Sequence, residues 1–532
     1  MKPYKKISLS LFSGLLLSIA GPDYLSGFFT FIAFVPLLFL EDYFYKNSKK
    51  YISFNFFIYS WLSFAFWNLL SMWWAWQPSI YGLVSPLVLN SLLSALIFWA
   101  FHIIRLKSGN QLGYLTFVIF YLAFEYLHFN WALAFPWLVL GNSFGRDILF
   151  IQWYEFTGVL GGSLWILVVN YFIFMIIKNI FEKQKITKYI IISATLIIIP
   201  IIISVIIFYN YSEIKNPQKI LIVQPNIDPY TEKFSKLSVE EQLEKMFKLA
   251  ESSIKEDVDY CIFPETAISE FVIEDNLKKN YKLKVISDFT EKYPKTKVII
   301  GAMTFIQFSE NENIPNSAIR EEGSDFYIDY YNSALQFDTS EIVQVYHKSQ
   351  LLMGAEKMPY TGFFKFMKKM KIEIAGGVTW YGTQPEATVF QSNNDTIKTA
   401  AIICWESVFG KYNSDFVSKG ADLLFVITND GWWGNTNGHR KHLRISQIRA
   451  IETRRSIARC ANTGISAFIN QKGEIISQSN YWETKTLICE INANQILTFY
   501  TKYGDLIGKI SAFLSAFVLI YLFFIKLKSF FM

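Results

Sequence analysis

Ala400-Ala401-Ile402-Ile403-Cys404-Trp405-Glu406-Ser407 carries a run of small and branched apolar residues up to a cysteine, where the chain turns. A near-continuous apolar run of this kind reads as a strand covered on both faces, the strand of a layered α/β fold. A cysteine at its end is a nucleophile only as thiolate, so it needs a proton acceptor and a cation nearby. The chain supplies both, each behind a strand-like run of its own. Glu265 follows in Cys261-Ile262-Phe263-Pro264-Glu265-Thr266, and Lys348 in Val345-Tyr346-His347-Lys348. A lone cysteine is more often a buried structural thiol. Three polar residues at strand ends, in the order Glu, Lys, Cys, favour the catalytic reading.

Outward from that run, β-rich segments recur at 220–223, 258–263, 298–303, 334–337, 342–346, 423–428 and 465–469. Helical patterns alternate with some of them. Ser238-x-x-Glu241 is a capping box before a helix carrying Leu243, Met246 and Phe247. Ile445, Ile448 and Ile451 repeat at helical spacing ahead of Arg454 and Arg455. The charged piece from Glu310 to Asp325 reads as a mobile surface loop. Nearly 300 residues, 212–505, are enough for a sizeable layered core.

The rest of the 532 residues has another character. The chain is 52% hydrophobic and 18% aromatic with only 18% charged residues, a composition suited to partial immersion in lipid. Apolar runs at 7–20, 24–40, 54–76, 82–104, 112–128, 157–177, 189–209 and 507–525 read as eight spans. Lysines and arginines collect at the N-terminus, at Lys46, Lys49 and Lys50, at Arg105 and Lys107, at 178–188 and at Lys526 and Lys528. The alternate loops at Gly21-Pro22-Asp23 and Gln77-Pro78-Ser79 carry no basic residue, and 129–156 carries only Arg146. The positive-inside rule then places both termini in the cytoplasm and the 212–505 segment outside. Residues 1–211 form a transmembrane domain of seven spans, and 506–532 a final span with a short cytoplasmic tail. The Pro-broken apolar loop at 129–156 reads either as interfacial or as an ordinary packed loop.

The net charge of +6 is modest and its basic residues sit beside apolar runs, so nucleic acid is not an expected partner. Cys261, Cys404, Cys460 and Cys489 lack metal-ligand spacing and read as free thiols. No metal or cofactor is expected. His439 and His442 share a helix face without a carboxylate ligand motif and read as structural. His347, next to Lys348 on a strand, points the opposite way. Asn332, Asn429 and Asp430 read as loop-shaping residues.

Phe263-Pro264-Glu265-Thr266-Ala267-Ile268, Tyr331-Asn332-Ser333-Ala334, Tyr346-His347-Lys348 and Cys404-Trp405-Glu406-Ser407 resemble the signature segments of the nitrilase, or carbon–nitrogen hydrolase, superfamily. Gly354-Ala355-Glu356-Lys357-Met358-Pro359-Tyr360, Asn429-Asp430-Gly431-Trp432-Trp433-Gly434 and Tyr500-Thr501-Lys502-Tyr503-Gly504-Asp505 narrow it to a membrane-bound branch, the apolipoprotein N-acyltransferase family. Phe135-Pro136-Trp137 in the 129–156 loop extends the resemblance towards the whole chain.

The resemblance implies an αββα sandwich beside the spans, on the periplasmic side of an inner membrane. It implies a phospholipid acyl donor, a diacylated apolipoprotein acceptor and a ping-pong thioester mechanism; nothing in the sequence demands a partner subunit, so a monomer is expected. Cys404 would be the nucleophile, Glu265 the general base, and Lys348 with the Trp405 amide the oxyanion donors; Glu356 and Glu406 would support them. Trp137, Phe363 and Phe364 are candidates for the acyl path. Relatives often have a tryptophan in the loop after the first strand; here Tyr230 and Phe234 stand in that loop. Two rivals are a membrane-tethered amidase with the same three residues and a transporter with an external binding domain. Spans nearly free of charge oppose the second.

Overall fold

The computed structural model describes residues 1–21, 25–255, 257–320, 323, 325–357, 381–393 and 395–531. The chain divides into two compact units, Met1–Asn210 with Tyr503–Met532, and Tyr211–Lys502.

The first unit is helical. Among the described residues five helical stretches are long and apolar enough to cross a membrane: Gly27–Lys46, Gly82–Asn130, Val159–Phe181, Thr187–Asn210 and Leu506–Phe524. The apolar runs at 7–20 and 54–76 form the helices Pro3–Ile19 and Phe54–Met72. The runs expected as separate spans at 82–104 and 112–128 fall in two helices that meet at Gly109, whose φ of 77° is non-helical, and Phe98 and Phe101 of the first pack on Phe117 and Tyr114 of the second. Glycine takes that left-handed conformation without a Cβ clash, so the bend falls there. The 49 residues of Gly82–Asn130 would rise roughly 70 Å if straight, about twice the hydrocarbon thickness. After Asn130 the chain breaks into short turns that bury Trp137, Leu138, Leu140 and Phe144 within this unit. Glu125 fastens them, accepting a hydrogen bond from the Leu140 N–H at 2.7 Å.

The second unit is built on thirteen described strands. They are β1 (Pro217–Gln224), β2 (Tyr260–Ile262), β3 (Ile268–Ile273), β4 (Lys297–Ser309), β5 (Ile319–Arg320), β6 (Phe326–Phe337), β7 (Gln344–His347), β8 (Thr399–Ile403), β9 (Leu423–Thr428), β10 (Ile457–Ala461), β11 (Ala467–Ile469), β12 (Ile475–Gln478) and β13 (Lys485–Asn492). One sheet runs β13-β1-β2-β4-β6-β5, with β3 on β4 and β7 on β6; the other runs β12-β11-β10-β9-β8. Strands β3, β5, β10, β12 and β13 were not expected. Part of the stretch read as a mobile loop forms β5, an exposed edge strand.

Period-2 alternation assigns the faces. Ile220 and Ile222 of β1, Tyr260 and Ile262 of β2, and Ile299 of β4 meet Ala400, Ile402, Leu424 and Val426 in a core between the sheets. Their neighbours Leu221, Val223, Cys261, Val298 and Ile300 turn outward onto the helices Val239–Ser253 and Lys284–Lys292. Helices Gly410–Ser418 and Asn437–Thr453 bring Phe416, Val417, Leu443 and Ala450 into the same cluster from the other side of the second sheet. The expected capping box is formed, Ser238 Oγ accepting from the Glu241 N–H at 3.2 Å. The layers are helix, sheet, sheet, helix.

Candidate active site

Three strands end at one place. Glu265 follows β2, Lys348 follows β7 and Cys404 follows β8, where chain ends of strands leave side chains free of the ladder. Register does the placing. Ser333 pairs with His347 in the β6–β7 ladder, so Lys348 lies opposite Asn332, and the Lys348 N–H donates to the Asn332 carbonyl at 2.8 Å.

The Lys348 ammonium is buried, with 2% of its side chain exposed, between two carboxylates. It donates to Glu356 Oε1 at 2.7 Å and to Glu265 Oε1 at 3.2 Å. Asn332 Nδ2 bridges the same two oxygens, at 2.9 Å from Glu265 and 3.1 Å from Glu356. The other oxygens are held by backbone: Glu265 Oε2 by the Asn429 N–H at 3.1 Å, Glu356 Oε2 by the Leu352 N–H at 2.7 Å. Burial works against the charge on Lys348, but Glu356 and then Glu265 outweigh it and hold the ammonium well above its usual value. Asn332 is therefore a strand residue inside the carboxylate–lysine cluster, a correction to its reading as loop-shaping.

Cys404 is partly exposed and adopts φ 49°, a left-handed conformation rare for a side chain of its size. That turn lifts the residue out of the β8 ladder at the first position past the strand. Burial pushes its thiol well above the usual value; Glu265 adds to the push and Lys348 opposes it.

Glu265 sits on a second left-handed turn, at Thr266 with φ 49°. Its backbone is pressed against β4. A Cβ on Gly301 would fall 2.6 Å from Glu265 Cα and 2.6 Å from the Pro264 carbonyl oxygen, so only glycine fits.

Glu406 is fully buried beside the Cys404 turn. It accepts from Tyr346 Oη at 2.6 Å, from the N–H of Ser349 at 2.7 Å and Gln350 at 3.2 Å, and from the Ile403 N–H at 2.9 Å. One carboxylate thereby ties the segment after β7 to the segment after β8. Burial lifts it to about 7, partly offset by the Tyr346 hydrogen bond. Trp405 is buried edge-on against Phe409. His442 Nε2 lies 2.7 Å from Ser407 Oγ and 3.2 Å from the Cys404 carbonyl, while Nδ1 lies 2.9 Å from Asp430. Asp430, beyond shaping its own turn, is a buried partner of His442 and Arg459. His347 turns away from Lys348 to Glu274, 2.7 Å from its Nε2. No three His, Cys, Asp or Glu side chains among the described residues converge to hold a metal.

Tyr230 and Phe234, on the loop after β1, join Trp432. Tyr230 Oη donates to the Trp432 carbonyl at 2.8 Å, and the Phe234 and Trp432 rings stack 6.2 Å apart. Trp137 belongs to the helical unit, buried edge-on against Trp74. Phe363 and Phe364 lie outside the described residues. Sequence reading passed over Lys233, which is buried and donates to the Glu265 carbonyl. Its position ahead of Phe234, in a loop without periodicity, gave no signal.

Residues 219–499 match the family model described as carbon-nitrogen hydrolase, and residues 13–172 match the apolipoprotein N-acyltransferase N-terminal domain. An apolipoprotein N-acyltransferase of Chlorobaculum tepidum is 28% identical over 94% of this chain and 94% of its own. One of Geobacter metallireducens is 24% identical over 94% and 92%, and one of Thermotoga maritima 26% over 93% and 90%.

Proposed function

This chain belongs to the carbon–nitrogen hydrolase family, and we propose that it transfers an acyl chain from a phospholipid to the α-amine of a diacylglyceryl-cysteine at the N-terminus of an apolipoprotein. The observation that carries the reading is a conjunction on one chain. The N-terminal domain of apolipoprotein N-acyltransferases precedes a hydrolase domain in which Glu265, Lys348 and Glu356 cluster at the strand ends beside Cys404.

In the first half-reaction Cys404 Sγ attacks the ester carbonyl of the donor while Glu265 takes the thiol proton. Lys348 and the Trp405 N–H stabilise the tetrahedral oxyanion. The C–O bond then breaks, and Glu265 returns the proton to the leaving lysophospholipid alcohol. In the second half the neutral α-amine of the acceptor attacks the thioester, Glu265 takes its proton, and the C–S bond breaks to release the amide. The thiolate recovers its proton from Glu265. Lys348 needs two carboxylates because one must accept protons while the other keeps the ammonium charged; Glu356 serves the second need. Within the hydrolase unit, the aromatic group of Tyr230, Phe234 and Trp432 is the candidate surface for the acyl chains.

We place the enzyme in the inner membrane with eight spans, both termini cytoplasmic and the 212–505 segment periplasmic. The distribution of lysine and arginine between alternate loops supports this orientation. Incubating the full chain in detergent with phospholipid and a diacylated lipopeptide tests the function. Triacylated peptide should form with the parent and not with Cys404→Ala; hydrolysis of an amide without acyl transfer would replace the proposal with an amidase.

A further inference from the structure

Lys233 lies on the loop between β1 and the helix Val239–Ser253, and its residue is only 2% exposed. Its ammonium donates to the main-chain carbonyl of Glu265 at 3.0 Å and to Thr266 Oγ1 at 2.7 Å. Gln242, from the helix, donates to the Lys233 carbonyl at 2.7 Å and fixes the residue from behind. Both oxygens are uncharged, and the ammonium's other contact is the Phe234 ring, 5.5 Å from its centroid. A buried charge without a directly bonded counter-ion is a net burden on the fold. Burdens of this kind mark sites where a charge serves chemistry.

The two atoms Lys233 grips belong to the left-handed turn at Thr266 that aims the Glu265 side chain. We propose that Lys233 is a positioning residue for Glu265: it pins the strained turn that carries the base and sets a second positive charge on its main-chain side, as Lys348 does on its carboxylate side. The inference rests on Glu265 being the general base.

Charges face Glu265 from three segments, while β6 and the segment after β9 supply the neutral donors Asn332 Nδ2 and the Asn429 N–H, the neighbouring Asp430 being paired with His442 and Arg459. Lys348 and Glu356 come from the segment after β7, Cys404 from the turn after β8, and Lys233 from the loop after β1. The loop's own carboxylates are engaged locally: Asp228 accepts from the Tyr230 N–H and Thr231 Oγ1, and Glu232 from the Asp228 N–H. Burial pulls Lys233 down to about 7, with Glu265 drawing it back up. Lys233 therefore carries its charge below neutrality, the range in which a carboxylate base is at risk of protonation. A positive neighbour favours the ionised, proton-accepting form of such a base.

The test is Lys233→Met in the full chain, which removes the charge and nearly keeps the volume. Acyl transfer from phospholipid to a diacylated lipopeptide is followed from pH 5 to 9, beside the thermal midpoint. The expected result is a midpoint equal to or above the parent's and kcat lowered about 10- to 100-fold, less than a whole positioned base contributes. KM should stay unchanged, and the acid limb of kcat/KM should move to higher pH. Lys233→Gln, which keeps a donor but not the charge, should show the same displaced limb with a smaller fall in kcat. A merely structural lysine would instead lower the midpoint in both variants and leave the pH profile in place, and that result would overturn the proposal. Glu265→Gln separates the layers. Inactive Glu265→Gln beside fully active Lys233→Met sinks the positioning role alone, whereas active Glu265→Gln removes the base and the positioning role together.

Discussion

Replacing Lys348 by Met removes the cation that bonds both Glu265 and Glu356. Their side chains are 9% and 15% exposed, and the lysine bonds both at 3.2 and 2.7 Å. Breaking a buried ion pair by deleting one partner costs about 3–5 kcal/mol, because the remaining charge stays buried and uncompensated. At about 2–3 °C per kcal/mol for a domain of this size, the thermal midpoint should fall by about 6–15 °C near pH 8. In the parent, Lys348 is held above its ordinary value, so its stabilisation is complete below about pH 10.5 and fades only as pH rises through the folded value. The parent's midpoint should therefore owe no pH dependence to Lys348 between pH 5 and 8. In the variant one carboxylate relieves the repulsion by binding a proton, so the deficit should shrink as pH falls towards 5. Chemistry should suffer separately: loss of an oxyanion donor lowers the rate about 100- to 1000-fold. Calorimetry at pH 5 and 8, with single-turnover acylation from phospholipid, reads both effects. A Lys348→Met protein with the parent's midpoint at pH 8, or with undiminished acylation, would refute the reasoning.

Glu406→Gln puts an amide N–H against the Ile403 N–H and should cost about 1–3 kcal/mol, read by denaturant unfolding. Because burial raises Glu406 to about 7, its favourable contribution in the parent is complete below about pH 4.3 and is lost as pH rises through about 7; the variant should lack that slope. Gly301→Ala drives a Cβ into the backbone of the base's turn, so acylation should fall by more than the about 1–3 kcal/mol loss of stability accounts for. Equal losses in unfolding and rate measurements would count against that turn as the seat of the base. Phe234→Ala unstacks Trp432, an interaction worth about 0.5–1.5 kcal/mol, and should raise KM for the lipid donor several-fold with kcat nearly constant in steady-state kinetics.

What the sequence disclosed was whatever repeats along the chain. Strand β8 and its cysteine, and the Ile220–Ile222 and Leu221–Val223 alternation, are local patterns that the fold preserves. Strand β10 escaped notice because Arg459 interrupts its apolar run; in the fold that guanidinium is paired with Asp430 and needs no solvent. Asn332 escaped for a different reason. Its place between two carboxylates follows from the β6–β7 register and the path of the chain to Glu356, neither of which is written in the residues around it. Lys233 shares that cause, its partners lying 32 and 33 positions along the chain. The break between the apolar runs at 82–104 and 112–128 was legible, because it falls at Gly109 inside the short polar stretch that separates them.

The central claim is a thioester on one sulfur, and the direct measurement is mass mapping of the full chain after brief exposure to phospholipid alone. The expected result is a hydroxylamine-labile acyl group on Cys404 that disappears when diacylated lipopeptide is added, with an equal amount of N-acylated peptide appearing. An acyl group on another residue, or N-acylated peptide made by Cys404→Ala, would contradict it.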